Sequence, residues 1–154
     1  MQEKRHSAVP AVYILMKKED KVLLMLRHNT GYFDDWFALP SGHLEENELP
    51  FEAMAREAKE EVGVDLIQDK TMFVHAMYRT ACDATGDRCD YFFVADEWHG
   101  EPSNMEEHKC RKLEWYSMGG LPENLMPHVR KGIEAIHRNE SFSELGAHEL
   151  VISP

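Results

Sequence analysis

An α/β fold, with a mixed β-sheet covered on both faces, is predicted by three features of this sequence. Two apolar, strand-forming runs open the chain, with a short polar turn between them. Two helical stretches, one closed by Gly63 and one opened by Pro127, stand far apart, which suits one helix on each side of a sheet. Between and after them lie further strand-like runs. The pattern leaves the strand order open.

Ala8 to Met16 is apolar and rich in strand formers, Lys17 to Asp20 is a polar turn, and Lys21 to Arg27 resumes with Val22, Leu23, Leu24 and Leu26. A hairpin is expected there. His28 to Asp35 is rich in turn formers and leads to a short strand, Trp36 to Pro40. A helix follows: Asn47 is expected to cap it, Pro50 is tolerated in its first turn, and Gly63 stops it after Val62. At about 100° per residue, Phe51, Ala55, Ala58 and Val62 form one stripe, while Arg56, Glu57, Glu60 and Glu61 lie on the other side. Further strands are expected at Thr71 to Arg79, Tyr91 to Trp98 and Lys112 to Ser117, with Asp83 to Asp90 as a polar hairpin loop. A last helix runs roughly from Pro127 to Arg138. No repeat, low-complexity tract or linker divides the chain, so residues 1–154 read as a single domain whose weakly periodic tail, 139–154, receives no element.

With 154 residues, the chain is long enough for one real core and short for two. Its net charge of -11 argues against a surface that coats DNA or RNA, which needs basic patches. A polyanionic small molecule approaching so acidic a protein needs local positive charge, which a metal ion supplies. No apolar run approaches membrane-spanning length and no signal peptide is evident, so neither a membrane partner nor export is expected. Cys82, Cys89 and Cys110 are odd in number and lack CxxC spacing, which reads as reduced thiols in a cytoplasmic protein. His108 lies close to Cys110, but no second pair completes a zinc site.

Glu57, Glu60 and Glu61 stand at i, i+3 and i+4, so they share a helix face and repel one another. A hard divalent cation such as Mg²⁺ answers that repulsion, since it prefers carboxylate oxygens and keeps sites for water and substrate phosphates. A simple solvated helix face would carry the same residues, and the surrounding frame distinguishes the two. Gly42, Glu48, Arg56, Glu57, Glu60, Glu61 and Gly63, with apolar Ala58 and Val64, spell G-x5-E-x7-R-E-U-x-E-E-x-G-U, where U is apolar. This frame resembles the signature of the Nudix hydrolases.

The resemblance implies an α/β/α sandwich and a metal-dependent hydrolase of nucleoside diphosphates linked to another moiety. It implies Mg²⁺, with Mn²⁺ able to substitute, held by Glu57, Glu60 and Glu61 and by the backbone carbonyl of Ser41. Relatives mostly have glycine at that place, so Ser41-Gly42 keeps the carbonyl while giving up backbone freedom. Arg56 joins the catalytic set by holding the loop and orienting carboxylates through its pairing with Glu48, while Gly42 and Gly63 shape the loop and the helix end. The stretch Trp98 to Glu106 has the W-x-G-E-P-x3-E spacing of MutT-type nucleoside triphosphatases. By that likeness Glu106 is the expected general base, with its neighbour Glu107 and the ligand Glu61 as alternatives.

The segment from Arg27 to Pro40 resembles that of a bacterial-type Nudix subgroup. Arg27 leaves its strand toward the same end of the sheet as the acidic motif, where it is expected to meet a phosphate, and Tyr32 or Phe33 is expected to stack on a base. The expected reaction is conversion of a (d)NTP to (d)NMP and pyrophosphate. Dinucleoside polyphosphates and nucleotide sugars are alternative substrates: Tyr78 suits the former, and the proline usual in ADP-ribose enzymes is replaced around Tyr78 to Thr80. A non-catalytic nucleotide-binding domain is the alternative from another class, opposed by the intact acids. Monomer and homodimer both stay open.

Overall fold

The computed structural model describes residues 3–83, 86–146 and 149. Two long strands open the fold, β1 (Ala8–Lys18) and β2 (Lys21–Arg27), followed by the short β3 (Phe37–Ala38) and β4 (Ser41–His43). Helix α1 (Pro50–Val62) leads through β5 (Asp65–Leu66) and a 3₁₀ turn to β6 (Thr71–Asp83) and β7 (Gly86–Ala95). Then come β8 (Trp98–His99), β9 (Cys110–Ser117), α2 (Pro127–His137) and β10 (Phe142–Leu145). The main sheet runs β10-β6-β7-β1-β2-β3, with β4 also pairing β1 and β9 also pairing β2. It is mixed: β1 runs parallel to β7 and β10 parallel to β6, while the other pairs are antiparallel.

The near-continuous apolar run of β1 follows from its burial on both faces. Ala11, Tyr13 and Leu15 enter one core, where Val129 and Ile133 of α2 pack. Val12, Ile14 and Met16 enter the other, where Ala53, Met54, Ala58 and Val62 of α1 pack. Strand β2 divides likewise, with Val22, Leu24 and Leu26 on the α2 side and Leu23 and Met25 on the α1 side. Strand periodicity thus sends one sequence into two cores, and the helices close both faces of the sheet as an α/β/α sandwich. Among the described residues no helix is long and apolar enough to cross a membrane.

The structure corrects several sequence expectations. Leu49, rather than Asn47, is the N-cap of α1; its N–H is taken by Glu52 at 2.8 Å, and Asn47 instead adopts a left-handed turn conformation with φ 62°. The buried arc of α1 is rotated from the predicted stripe, with Ala53, Met54, Ala58 and Val62 buried and Phe51 and Ala55 only half-buried. At about 100° per residue, Glu57 and Glu61 fall inside that arc, so they face the sheet instead of lying opposite it. Strands β6 and β7 extend well into the loop predicted for Asp83 to Asp90, because Tyr78, Arg79 and Asp83 find ladder partners across the hairpin. Strand β7 stops at Ala95 while Trp98 joins β5 in a separate ribbon. The tail supplies β10, which gains its ladder only by docking on β6, so its local periodicity is weak.

Candidate functional site

Strand β4 is joined to β1 through even-numbered positions, with Ile14 N–H bonding Pro40 O at 2.9 Å and Leu44 N–H bonding Pro10 O at 3.1 Å. Ser41 therefore turns its own N–H and carbonyl away from β1, and the N–H meets Glu61 Oε2 at 3.4 Å. Beside it, Gly42 is the point where Glu57 crosses the strand. A Cβ at Gly42 would sit 2.0 Å from Glu57 Oε1 and 2.7 Å from its Cγ, so only glycine leaves room for the carboxylate.

At the other end of α1, Gly63 takes φ 71° and directs its N–H back to Lys59 O. The chain that returns after β8 is tied there: Ser103 N–H bonds Val62 O at 2.9 Å and Met105 N–H bonds Glu61 O at 3.2 Å. These two bonds seat Glu106 over the acidic end of the helix. Its own N–H is held by Asn104 Oδ1 at 3.1 Å, and Asn104 in turn donates to Cys110 O. Glu106 is half-buried while Glu107 is exposed, so the loop offers Glu106 to the interior.

A cleft of about 540 Å³ results, lined by Ser41, Glu57, Glu60, Glu61 and Glu106, with Arg27 and Lys109 as its cations. Burial, then the hydrogen bond and charge of Glu57 and the charge of Glu106, push the Glu61 carboxyl well above the ordinary carboxylate range. Several carboxylates thus line one wall beside the buried Glu61, an arrangement that a bound cation relieves. Among the described residues no three His, Cys, Asp or Glu groups close into a preformed cage. An all-oxygen, open-sided donor set fits Mg²⁺, which keeps waters and substrate oxygens in its shell.

Arg56 braces this wall. Its Nε and Nη2 grip Glu48 at 2.8 and 3.0 Å, its Nη1 reaches Glu57 Oε1 at 2.7 Å, and its Nη2 also bonds His43 O at 3.1 Å. The Arg56 fork and the Glu45 N–H hold the Glu48 carboxyl down to about 2. Glu60 is the most exposed acid and approaches Arg56 Nη1 only to 3.5 Å.

Arg27 leaves β2 and borders two cavities at once. Its Nε donates to Tyr32 O at 2.9 Å, its Nη2 to Thr30 Oγ1 at 3.0 Å, and its guanidinium lies 5.7 Å from the Tyr32 ring centre. Asp34 ties the loop by accepting from the N–H groups of Thr30 and Gly31. Tyr32 is packed edge-on against Phe33 at 4.8 Å and is 43% exposed. Tyr78 lines neither cavity; its hydroxyl donates to Asp87 at 2.8 Å.

The second cavity, about 270 Å³, meets the first along Arg27, Ala38 and Ser41, and its deeper wall was missed from sequence. Behind it Asp90 pairs with Arg79, whose Nη2 also donates to the Tyr13 hydroxyl at 3.2 Å. That leaves the Tyr13 proton for His128 Nε2 at 3.1 Å. Burial, first, and then the Arg79 charge keep His128 neutral, while burial raises Tyr13 and Asp90. The available signal was that β6 and β7 alternate, so Arg79 shares the core-facing register of Met77 and Asp90 that of Phe92. Lys109, three residues beyond Glu106, had nothing to separate it from solvated loop residues.

A NUDIX domain profile matches residues 4–136. An ADP-ribose pyrophosphatase of Methanocaldococcus jannaschii is 32% identical over 125 residues, covering 81% of this chain and 70% of that protein. An 8-oxo-dGTP diphosphatase of Escherichia coli K12 is 27% identical over 127 residues, covering 81% and 92%. Among solved structures, a MutT NUDIX hydrolase from Burkholderia pseudomallei superposes with TM-score 0.76 at 20% identity over 84% of this chain and 98% of that one, a likeness of fold.

Proposed function

This chain belongs to the NUDIX hydrolase family, which acts on nucleoside diphosphate derivatives, and on that premise we propose that it converts nucleoside triphosphates to nucleoside monophosphates and pyrophosphate. The observation that carries this reading is the common cleft of Glu57, Glu60, Glu61, Glu106 and Ser41, in which Glu61 is buried against Glu57. Glu57, Glu60, Glu61 and the Ser41 carbonyl would hold Mg²⁺, or Mn²⁺ in its place. The ion supplies Lewis-acid stabilisation of charge on the phosphoryl oxygens and leaving group.

The chain's own groups do the rest. Glu106, which projects from a loop pinned to the helix end, takes the proton of the attacking water. Glu61, the alternative base, is engaged with Glu57 and Ser41 and serves better as ligand and orienting group. Arg56 fixes the Glu57 rotamer from behind, Arg27 meets a substrate phosphate, and Tyr32 covers the nucleoside portion. A second reading, cleavage of a nucleotide sugar, is favoured by the identity shared with the M. jannaschii ADP-ribose pyrophosphatase.

Initial rates on ribo- and deoxyribonucleoside triphosphates, diadenosine polyphosphates and ADP-ribose, with Mg²⁺ and with EDTA, decide among these. Metal-dependent release of pyrophosphate from a triphosphate supports the first reading, and AMP from ADP-ribose alone supports the second. No turnover of any phosphoanhydride would sink both.

A further inference from the structure

A phosphate chain that enters the acidic cleft meets Glu57, Glu60, Glu61 and Glu106, groups of its own sign. Among the described residues that line the cleft, Arg27 and Lys109 are the cations. Arg27 is partly engaged already, since its Nε and Nη2 hold Tyr32 O and Thr30 Oγ1. Lys109 is not: among the described residues its ammonium group has neither ion pair nor hydrogen bond, although these glutamates share the cleft with it. Lys59, Lys70 and Lys112, outside the cleft, each hold a carboxylate.

The backbone beneath that side chain is fixed from both directions. Lys109 N–H bonds Glu106 O at 2.8 Å, and Lys109 O accepts His28 N–H at 2.8 Å. The next residue, Cys110, is the ladder partner of Arg27 across β2 and β9. Arg27 and Lys109 therefore stand at the adjoining ends of neighbouring strands. Arg27 borders both cavities, whereas Lys109 borders the acidic cleft alone. A phosphate chain that runs from the Tyr32 side into the cleft meets Arg27 at the junction and Lys109 beyond it.

We propose that Lys109 is a further catalytic residue, one that holds the phosphoryl group on the far side of the scissile bond from the nucleoside and neutralises charge on its oxygens. The inference rests on the hydrolase reading and adds a residue to it. A lysine suits this place as a compact charge with three donors on a flexible stem, able to follow oxygens that move as the anhydride opens. Its charge acts most strongly where those oxygens become more negative, so it contributes to turnover as well as to binding. The bonds exchanged are those of hydrolysis alone. The oxygen of water joins phosphorus, the bridging P–O bond breaks with its electron pair on oxygen, the water proton passes to Glu106, and Lys109 keeps its own protons.

The test compares wild type with Lys109→Gln and Lys109→Arg on the nucleoside triphosphate that is turned over fastest. Lys109→Gln is expected to lower kcat/KM by about 10- to 100-fold, the scale of one charge-assisted hydrogen bond, and Lys109→Arg to restore part of the loss. Lys112→Gln removes the same charge three residues away, where the partner is Glu114, and is expected to leave the rate unchanged. Product inhibition locates the contact: Lys109→Gln raises the inhibition constant of pyrophosphate about tenfold and leaves that of the nucleoside monophosphate unmoved. Calorimetric titration of pyrophosphate in Mg²⁺ makes the same comparison without turnover. A folded Lys109→Gln enzyme of near wild-type kcat/KM overturns the proposal, as does an equal loss in Lys112→Gln, which marks a general effect of charge. A shift confined to the monophosphate, or shared equally by both products, overturns it too. If nothing is hydrolysed while pyrophosphate binding still depends on Lys109, the hydrolase reading fails and the catalytic role with it, leaving an anion contact.

Discussion

Gly42→Ala is the perturbation that most directly couples backbone space to the acidic cleft. A Cβ there sits 2.0 Å from Glu57 Oε1 and 2.2 Å from its carboxyl carbon. Restoring a 3.4 Å contact displaces that oxygen by about 1.4 Å. The oxygen is also the one that Arg56 Nη1 holds at 2.7 Å, so the displacement breaks a charge-assisted hydrogen bond worth about 1.5–3 kcal/mol. If Glu57 holds the metal as proposed, displacement of its carboxylate by more than 1 Å is expected to lower kcat/KM by about 10²-fold. The fold should survive with a loss of about 1–3 kcal/mol, as for other overpacked sites.

The assay is metal-dependent nucleotide hydrolysis, with circular dichroism melting as the control for folding. Glu57→Gln and the Gly42→Ala, Glu57→Gln double variant complete the cycle. If Gly42 acts by making room for Glu57, the double variant is no worse than Glu57→Gln alone. A folded Gly42→Ala enzyme of near wild-type kcat/KM, or losses that simply multiply, would refute the reasoning.

Three further outcomes follow from the same geometry. Glu106→Gln should lower kcat by about 10²-fold or more with Mn²⁺ affinity preserved, and should remove the limb of the pH–rate profile that reports base ionisation; an unchanged profile excludes Glu106 as base. Tyr32→Ala should raise KM about tenfold with kcat nearly unchanged, consistent with one lost stacking contact, and an unchanged KM returns Tyr32 to loop packing. The Glu48 carboxyl is held down from 4.5 to about 2, so its contribution to stability is complete above pH 4.5 and lost as the pH falls toward 2. Melting curves of wild type and Glu48→Gln should therefore differ fully near neutrality and converge toward pH 2, whereas a constant gap would contradict the pairing with Arg56.

The sequence made the acids legible because helical spacing alone gathers Glu57, Glu60 and Glu61, and a fixed spacing ties Glu48 to Arg56. It misjudged which way they face. Periodicity ranks apolar residues, and Glu57 and Glu61 occupy places in the buried arc that apolar side chains fill one turn away. The long strands β1 and β2 were readable from β-branched and apolar content, whereas β4 and β10 are short and exist through their partners β1 and β6. Likewise the cap at Leu49 depends on Glu52 reaching back, which no feature of Leu49 itself announces. The arginine-lined cavity joins β1, β2, β6, β7 and α2, so no local window contains it.

The central claim is that the α1 carboxylates form the metal-dependent hydrolytic centre. Turnover of the preferred nucleotide by the Glu57→Gln, Glu61→Gln double variant at saturating Mg²⁺ tests it most directly. The geometry predicts a folded protein whose kcat falls by about 10³-fold or more, the loss of several kcal/mol of transition-state stabilisation. A folded double variant that hydrolyses the nucleotide at near the wild-type rate would contradict it.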